Sequence, residues 1–109
     1  MSDAKPVYMI VMLDVTDTAA FFEDYVGPLQ AIHARHGVKV LAATPEPTVL
    51  EGRYDKTLTV VLEFPSAQAQ ARWYADPDYR PLIDRRRALT NTDTSVALVL
   101  PAFGPEVHP

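Results

Sequence analysis

A chain of 109 residues with 48% hydrophobic and 22% charged content is expected to form one domain over residues 1–109, with a core over 7–100 and a tail over 101–109, and has no room for two cores. Ten Lys and Arg against 14 Asp and Glu give a net charge of -4 with the signs interspersed, so no broad basic face for nucleic acid is implied. The lack of cysteine excludes disulfides, thiolate metal sites and cysteine nucleophiles, and a cytoplasmic location is the simplest expectation.

Val7 to Val15 (VYMIVMLDV) is apolar on both alternating faces apart from Tyr8 and Asp14, the pattern of a central strand covered on both sides. The run is too short for a membrane span and lacks a small-residue cleavage pattern, so no membrane partner is expected. Thr16-Asp17-Thr18 offers a helix N-cap, whose side-chain oxygen takes an otherwise orphan backbone N–H. Phe22, Tyr25, Val26, Leu29, Ile32, His33 and His36 then recur at helical spacing on one stripe. Gly27-Pro28 interrupts the stripe and predicts a kink or break, and Gly37 closes the helix in the left-handed region.

Val38 to Ala43 reads as a weaker second strand, followed by a proline-rich, charged loop over Thr44 to Lys56 with a short extended piece near Val49-Leu50. Thr57 to Phe64 is the third strand, and Ser66 caps a helix that stops before Asp76. Asp76-Pro77 reads as a second helix start, with proline where a missing N–H costs nothing. Tyr79, Leu82, Ile83, Arg86 and Leu89 form the stripe of the last helix, and Ser95 to Leu100 is the fourth strand.

The order βαββαβ, with short connections and right-handed crossovers, predicts a ferredoxin-like α+β fold: a four-stranded antiparallel sheet of order 4-1-3-2 with helices on one face. The other face carries either Met9, Val11 and Leu13 or Ile10 and Met12, with Val61 or Leu62 beside them. Both sets are too apolar for water, and a second copy of the sheet is the economical cover, giving a homodimer with a shared barrel.

The unit VVLEFPSAQAQARWYADPDY, the earlier VLEG and the HG that ends the first helix resemble the domain-of-unknown-function family numbered 1330, within the dimeric α/β barrel superfamily. The resemblance covers Tyr8 to Leu100, and its most specific parts are Glu63-Phe64-Pro65-Ser66, Trp73-Tyr74 and Asp76-Pro77-x-Tyr79. It implies an arginine in the last helix, met by Arg86. The chain departs from the pattern at Val38, where relatives carry a second glycine, and at Leu41-Ala42-Ala43-Thr44, where they carry an arginine.

Each candidate for chemistry has a structural alternative. His33 is the candidate acid–base group, and His36 lies three residues on; the pair lacks a third ligand at zinc-like spacing, so no metal is expected. Tyr8 and Glu63 are expected to be cross-strand neighbours, bonded either to move a proton or to bury the carboxylate. Trp73, Tyr79 and Tyr25 concentrate aromatic surface suited to a planar ligand, while Trp73 equally suits a core plug. Arg86 either turns inward to hold a carboxylate or enolate oxygen, or outward to pair with Asp78 or Asp84.

No phosphate loop, serine elbow or dinucleotide fingerprint is present. The expectation is a small-molecule-binding protein. If it is an enzyme, the resemblance implies isomerase, cyclase or monooxygenase chemistry on a small carbonyl or phenolic compound without a cofactor, with His33 and Arg86 as catalytic residues. The alternative is a non-catalytic ligand-binding or assembly protein.

Overall fold

The computed structural model describes residues 5–104. Its elements are β1 (Val7–Leu13), α1 (Thr18–Phe21), a π-helical turn (Phe22–Val26), α2 (Gly27–His36), β2 (Lys39–Thr44), β3 (Leu58–Phe64), α3 (Ala67–Ala75), α4 (Arg80–Ala88) and β4 (Val96–Pro101). The strands lie in the order β2-β3-β1-β4 with every neighbouring pair antiparallel, which is the expected order read from the opposite edge. The fold is ferredoxin-like.

The register settles which residues share a face. Val7, Met9, Val11 and Leu13 lie opposite Phe64, Leu62, Val60 and Leu58, on the side where Phe21, Tyr25, Leu29, Ile32, Trp73 and Ile83 from the helices close the core. Phe21 and Phe64 are almost wholly buried, and a phenyl ring removed from water to that degree contributes roughly 1.5–3 kcal/mol. The open face carries Ile10, Met12 and Val61, flanked by Val96, Leu98 and Leu100 of β4, which are all exposed. A bulge between Val40 and Ala42 breaks the pairing of β2 with β3.

Several boundaries differ from the sequence expectation for physical reasons. At Gly27-Pro28 the helix does not end but passes from a π-turn into an α-helix: the N–H of Gly27 bonds to the carbonyl of Phe22, five residues back, and the widened turn accommodates a proline that has no N–H to give. The last helix starts at Arg80 rather than after Asp76-Pro77, because Pro81 must sit in the first turn, where its absent N–H breaks no bond. Asp76 instead forms a tight turn, its carboxylate accepting from the N–H of Asp78 at 2.9 Å and its carbonyl from Tyr79 at 2.9 Å.

The first strand ends at Leu13, and Val15 forms an isolated bridge with Thr90. No strand forms at Val49-Leu50, where the Leu50 side chain is exposed. The remaining signals hold. Asp17 caps α1 through Ala20 N–H at 3.1 Å, and Ser66 caps α3 through Ala69 N–H at 3.0 Å. Gly37 takes φ 70°, and a Cβ there would also press on Pro65 at 3.3 Å. Only residues 101–104 of the tail lie among those described. No helix among the described residues is long and apolar enough to cross a membrane.

Candidate functional site

Between the helices and the sheet lies a cavity of about 470 Å³. Met9, Val11, Leu58, Val60 and Leu62 give it an apolar floor, and Val40, Ala43 and Pro45 extend it along β2 and the loop after that strand. The helices supply the groups capable of chemistry: Tyr25 from the π-turn, His33 from α2, Trp73 from α3, Tyr79 from the N-cap of α4 and Arg86 from its last turn. Tyr25, Leu29 and His33 recur every four residues, so one face of a helix delivers a phenol and an imidazole to the same space.

Two bonds organise the polar wall. The hydroxyls of Tyr25 and Tyr79 share a hydrogen bond of 2.6 Å, and burial pushes both phenols above their ordinary pKa, Tyr25 the further. The nearby Arg86 guanidinium opposes that shift without overcoming it. The indole N–H of Trp73 donates to Nδ1 of His33 at 3.1 Å, and the two rings stack. Burial also pulls His33 below its ordinary pKa, so it is neutral at pH 7. With Nδ1 accepting, the proton of the neutral ring sits on Nε2 and is available to a cavity guest.

Arg86 turns inward. Its Nε is buried and has no hydrogen-bond partner, and among the described residues no ion pair ties it to Asp78 or Asp84. A buried donor left unpaired in a protein interior costs stability, so this one stands ready for an acceptor. The wall thus offers a cation, a phenol pair and one imidazole N–H, which stabilise negative charge on an oxygen.

Five sequence candidates, His33, Arg86, Tyr25, Trp73 and Tyr79, therefore meet around one cavity. Trp73 is 1% exposed and lines the cavity too, so the indole is at once core plug and wall. Tyr8 and Glu63 do not join them. They are cross-strand partners as expected, but on the open sheet face, and no hydrogen bond links them among the described residues. Both are only half-buried, so water competes for the phenol and the carboxylate.

His36 is turned away from His33. It bonds Asp76 through Nε2 at 2.8 Å, while Arg35 reaches the same carboxylate at 2.6 Å and Asp78 at 3.1 Å. That cluster fastens α2 to the α3–α4 turn and holds the Asp76 carboxyl down to about 2, chiefly through the bond from His36. Phe21, whose ring packs at a tilt against Tyr25 with centroids 5.0 Å apart, is absent from the sequence candidates; its place four residues before Tyr25 was the available signal. The Tyr25–Tyr79 bond joins residues 54 apart and left no local signal.

The family described as Domain of unknown function (DUF1330) matches residues 6–99. No match to a curated protein was found. Among solved structures, a protein of unknown function from Rhodopseudomonas palustris is 20% identical, with 94% of this chain and 85% of that one covered at a TM-score of 0.77. A dimeric ferredoxin-like protein of unknown function from Thermobifida fusca is 17% identical, with 94% and 95% covered at a TM-score of 0.63. SnoaB, a cofactor-independent oxygenase from Streptomyces nogalater, is 24% identical, with 93% and 96% covered at a TM-score of 0.62. At these identities the likeness is one of fold.

Proposed function

The chain belongs to the DUF1330 family, a grouping that carries no activity of its own, and from that premise we propose that it is a small-molecule-binding protein whose cavity takes a compact carbonyl or phenolic compound. The observation that carries the reading is the buried, unpartnered Nε of Arg86 in the wall of an otherwise apolar cavity. A flat apolar body suits the aromatic walls and the aliphatic floor. Its oxygen gains a charge-assisted bond from Arg86, with the one phenol hydroxyl not donating within the Tyr25–Tyr79 pair and the Nε2–H of His33 as further donors.

The same arrangement suits chemistry in which an enolate or phenolate develops, because donors that meet the oxygen more strongly as its charge grows lower the barrier. Isomerisation, cyclisation and oxygenation of an activated carbonyl or phenol all pass through such a species, and the oxygenase of related fold makes that class worth testing first. In this reading Arg86 holds the oxygen and His33 serves as a hydrogen-bond donor, since its Nδ1 is engaged by Trp73. A homodimer joined through the open sheet face fits the exposed Leu98 and Val96 of β4 and the dimeric relative of the same fold.

The test is calorimetric titration of the protein with 2-naphthol and with 2-methylnaphthalene, which share a body and differ in the oxygen. The naphthol should bind about tenfold or more tightly than the hydrocarbon, and Arg86→Met should remove most of that difference. Equal affinities, or no binding of the naphthol, would overturn the reading.

A further inference from the structure

A second cleft of about 450 Å³ lies against the end of α4 and the start of β4, lined by Arg86, Arg87, Thr90, Thr92 and Ser95 among others. Leu13, Arg86 and Ala97 line this cleft and the inner cavity alike, so the two spaces meet at the Arg86 side chain. Their linings differ sharply in chemistry. The inner space is walled mostly by aromatic and aliphatic side chains, while the outer one sets two guanidinium groups and three hydroxyls beside Leu13, Val96 and Ala97.

The framework around the cleft is fixed. Thr16 N–H bonds to the Leu89 carbonyl at 2.9 Å and Asn91 N–H to the Asp14 carbonyl at 2.8 Å, which ties the end of α4 to the end of β1. Thr90 Oγ1 donates to the Arg86 carbonyl at 2.8 Å, holding the backbone that carries both arginines. Ser95 Oγ accepts the Asp14 N–H at 3.0 Å, which leaves its own proton to donate. The Asp14 carboxylate does not serve as a counterion for the arginines, because Thr94 and Lys56 occupy it. Among the described residues neither Arg86 nor Arg87 is ion-paired to a carboxylate.

We propose that the ligand spans both spaces: a flat apolar body with a carbonyl or phenolic oxygen in the inner cavity, and a carboxylate arm that crosses Arg86 into the outer cleft, held by Arg86, Arg87 and the Ser95 hydroxyl. This rests on the small-molecule reading above and narrows its substrate class to amphipathic acids. Two guanidinium groups matched by no carboxylate suit the planar, bidentate geometry of that group. Of the side chains that line both spaces, Arg86 is the charged one, and so the one able to meet an anionic arm passing between them.

The experiment compares 6-hydroxy-2-naphthoic acid, its methyl ester and 2-naphthol by calorimetric titration of the same protein. The acid should bind about tenfold more tightly than either neutral compound, an advantage that shrinks as salt is raised. Arg87 lines the outer cleft and not the inner cavity, so Arg87→Ala should cut the ratio of acid to naphthol affinity to about twofold or less. Binding of 2-naphthol with no advantage for the acid would overturn this inference and leave the cavity reading standing. An advantage that Arg87→Ala does not change would also overturn it, since the carboxylate would then lie elsewhere. Failure of all three compounds to bind would overturn both.

Discussion

Trp73 donates its indole N–H to Nδ1 of His33 over 3.1 Å, and the two rings stack with centroids 5.9 Å apart. A donor fixed at Nδ1 opposes a proton there, so it disfavours both the imidazolium and the other neutral tautomer. Nitrogen-15 NMR should find His33 protonated at Nε2 alone at neutral pH. Trp73→Phe keeps most of the ring packing and removes the donor, and His33 should then titrate at higher pH. A wild-type His33 protonated on Nδ1 would refute the arrangement.

Burial lowers the pKa of His33 from 6.5, so the unfolded chain takes up a proton that the folded chain refuses. The unfolded state therefore binds more protons over the window beginning near pH 6.5 and running down to the lowered value, and stability is lost as the pH drops through it. His33→Gln lacks this titration. In urea unfolding from pH 8 to pH 5, the wild type should lose stability relative to His33→Gln on the acid side; parallel curves would exclude a depressed His33.

The Tyr25–Tyr79 bond is a closed pair in the core, with the two hydroxyls 2.6 Å apart. Replacing either tyrosine by phenylalanine removes this bond, leaves the other hydroxyl with Arg86 alone, and should cost about 1–3 kcal/mol. The shared bond is lost once whichever tyrosine goes, so the double variant should be less destabilised than the sum of the singles. A double-mutant cycle by chemical denaturation reads this directly, and strict additivity would mean the two hydroxyls are not coupled.

Asp76 takes bonds from His36, Arg35 and the Asp78 backbone, which lower its carboxyl from 3.8 to about 2. A carboxyl depressed in the folded state stabilises above its unfolded pKa and loses that contribution as pH falls through its folded pKa. Wild type should therefore weaken relative to Asp76→Asn between about pH 4 and pH 2 in acid unfolding. Curves that keep a constant separation would argue against the bonded carboxylate.

Periodicity made the sheet legible. The two-residue alternation of β1 and β3 put Met9 and Leu62 on one face and Ile10 and Val61 on the other, and short connections fixed the strand order. Helical spacing likewise brought Tyr25 and His33 to one side of the first helical segment and Tyr79 and Arg86 to one side of the last. What the sequence concealed was the meeting of hydroxyls, rings and guanidinium across elements, because side-chain partners forty or fifty residues apart leave no local pattern. Tyr8 and Glu63 mark the same limit. Pairing was readable from strand order, but a bond between side chains depends on water and rotamers as well.

The π-turn at Phe22–Val26 also constrains how the chain can change in length over evolution. It holds one residue more than an ordinary helical turn, and each residue of an α-helix rotates the next by about 100°. Removing a single residue there would return the wide turn to an ordinary helical one and leave Leu29, Ile32 and His33 on the core face. Because Pro28 lacks the N–H that a regular turn demands, the wide turn and the proline hold each other in place. A one-residue deletion at this point therefore costs stability through the proline, which would then sit inside a regular turn, while the histidine keeps its place at the cavity.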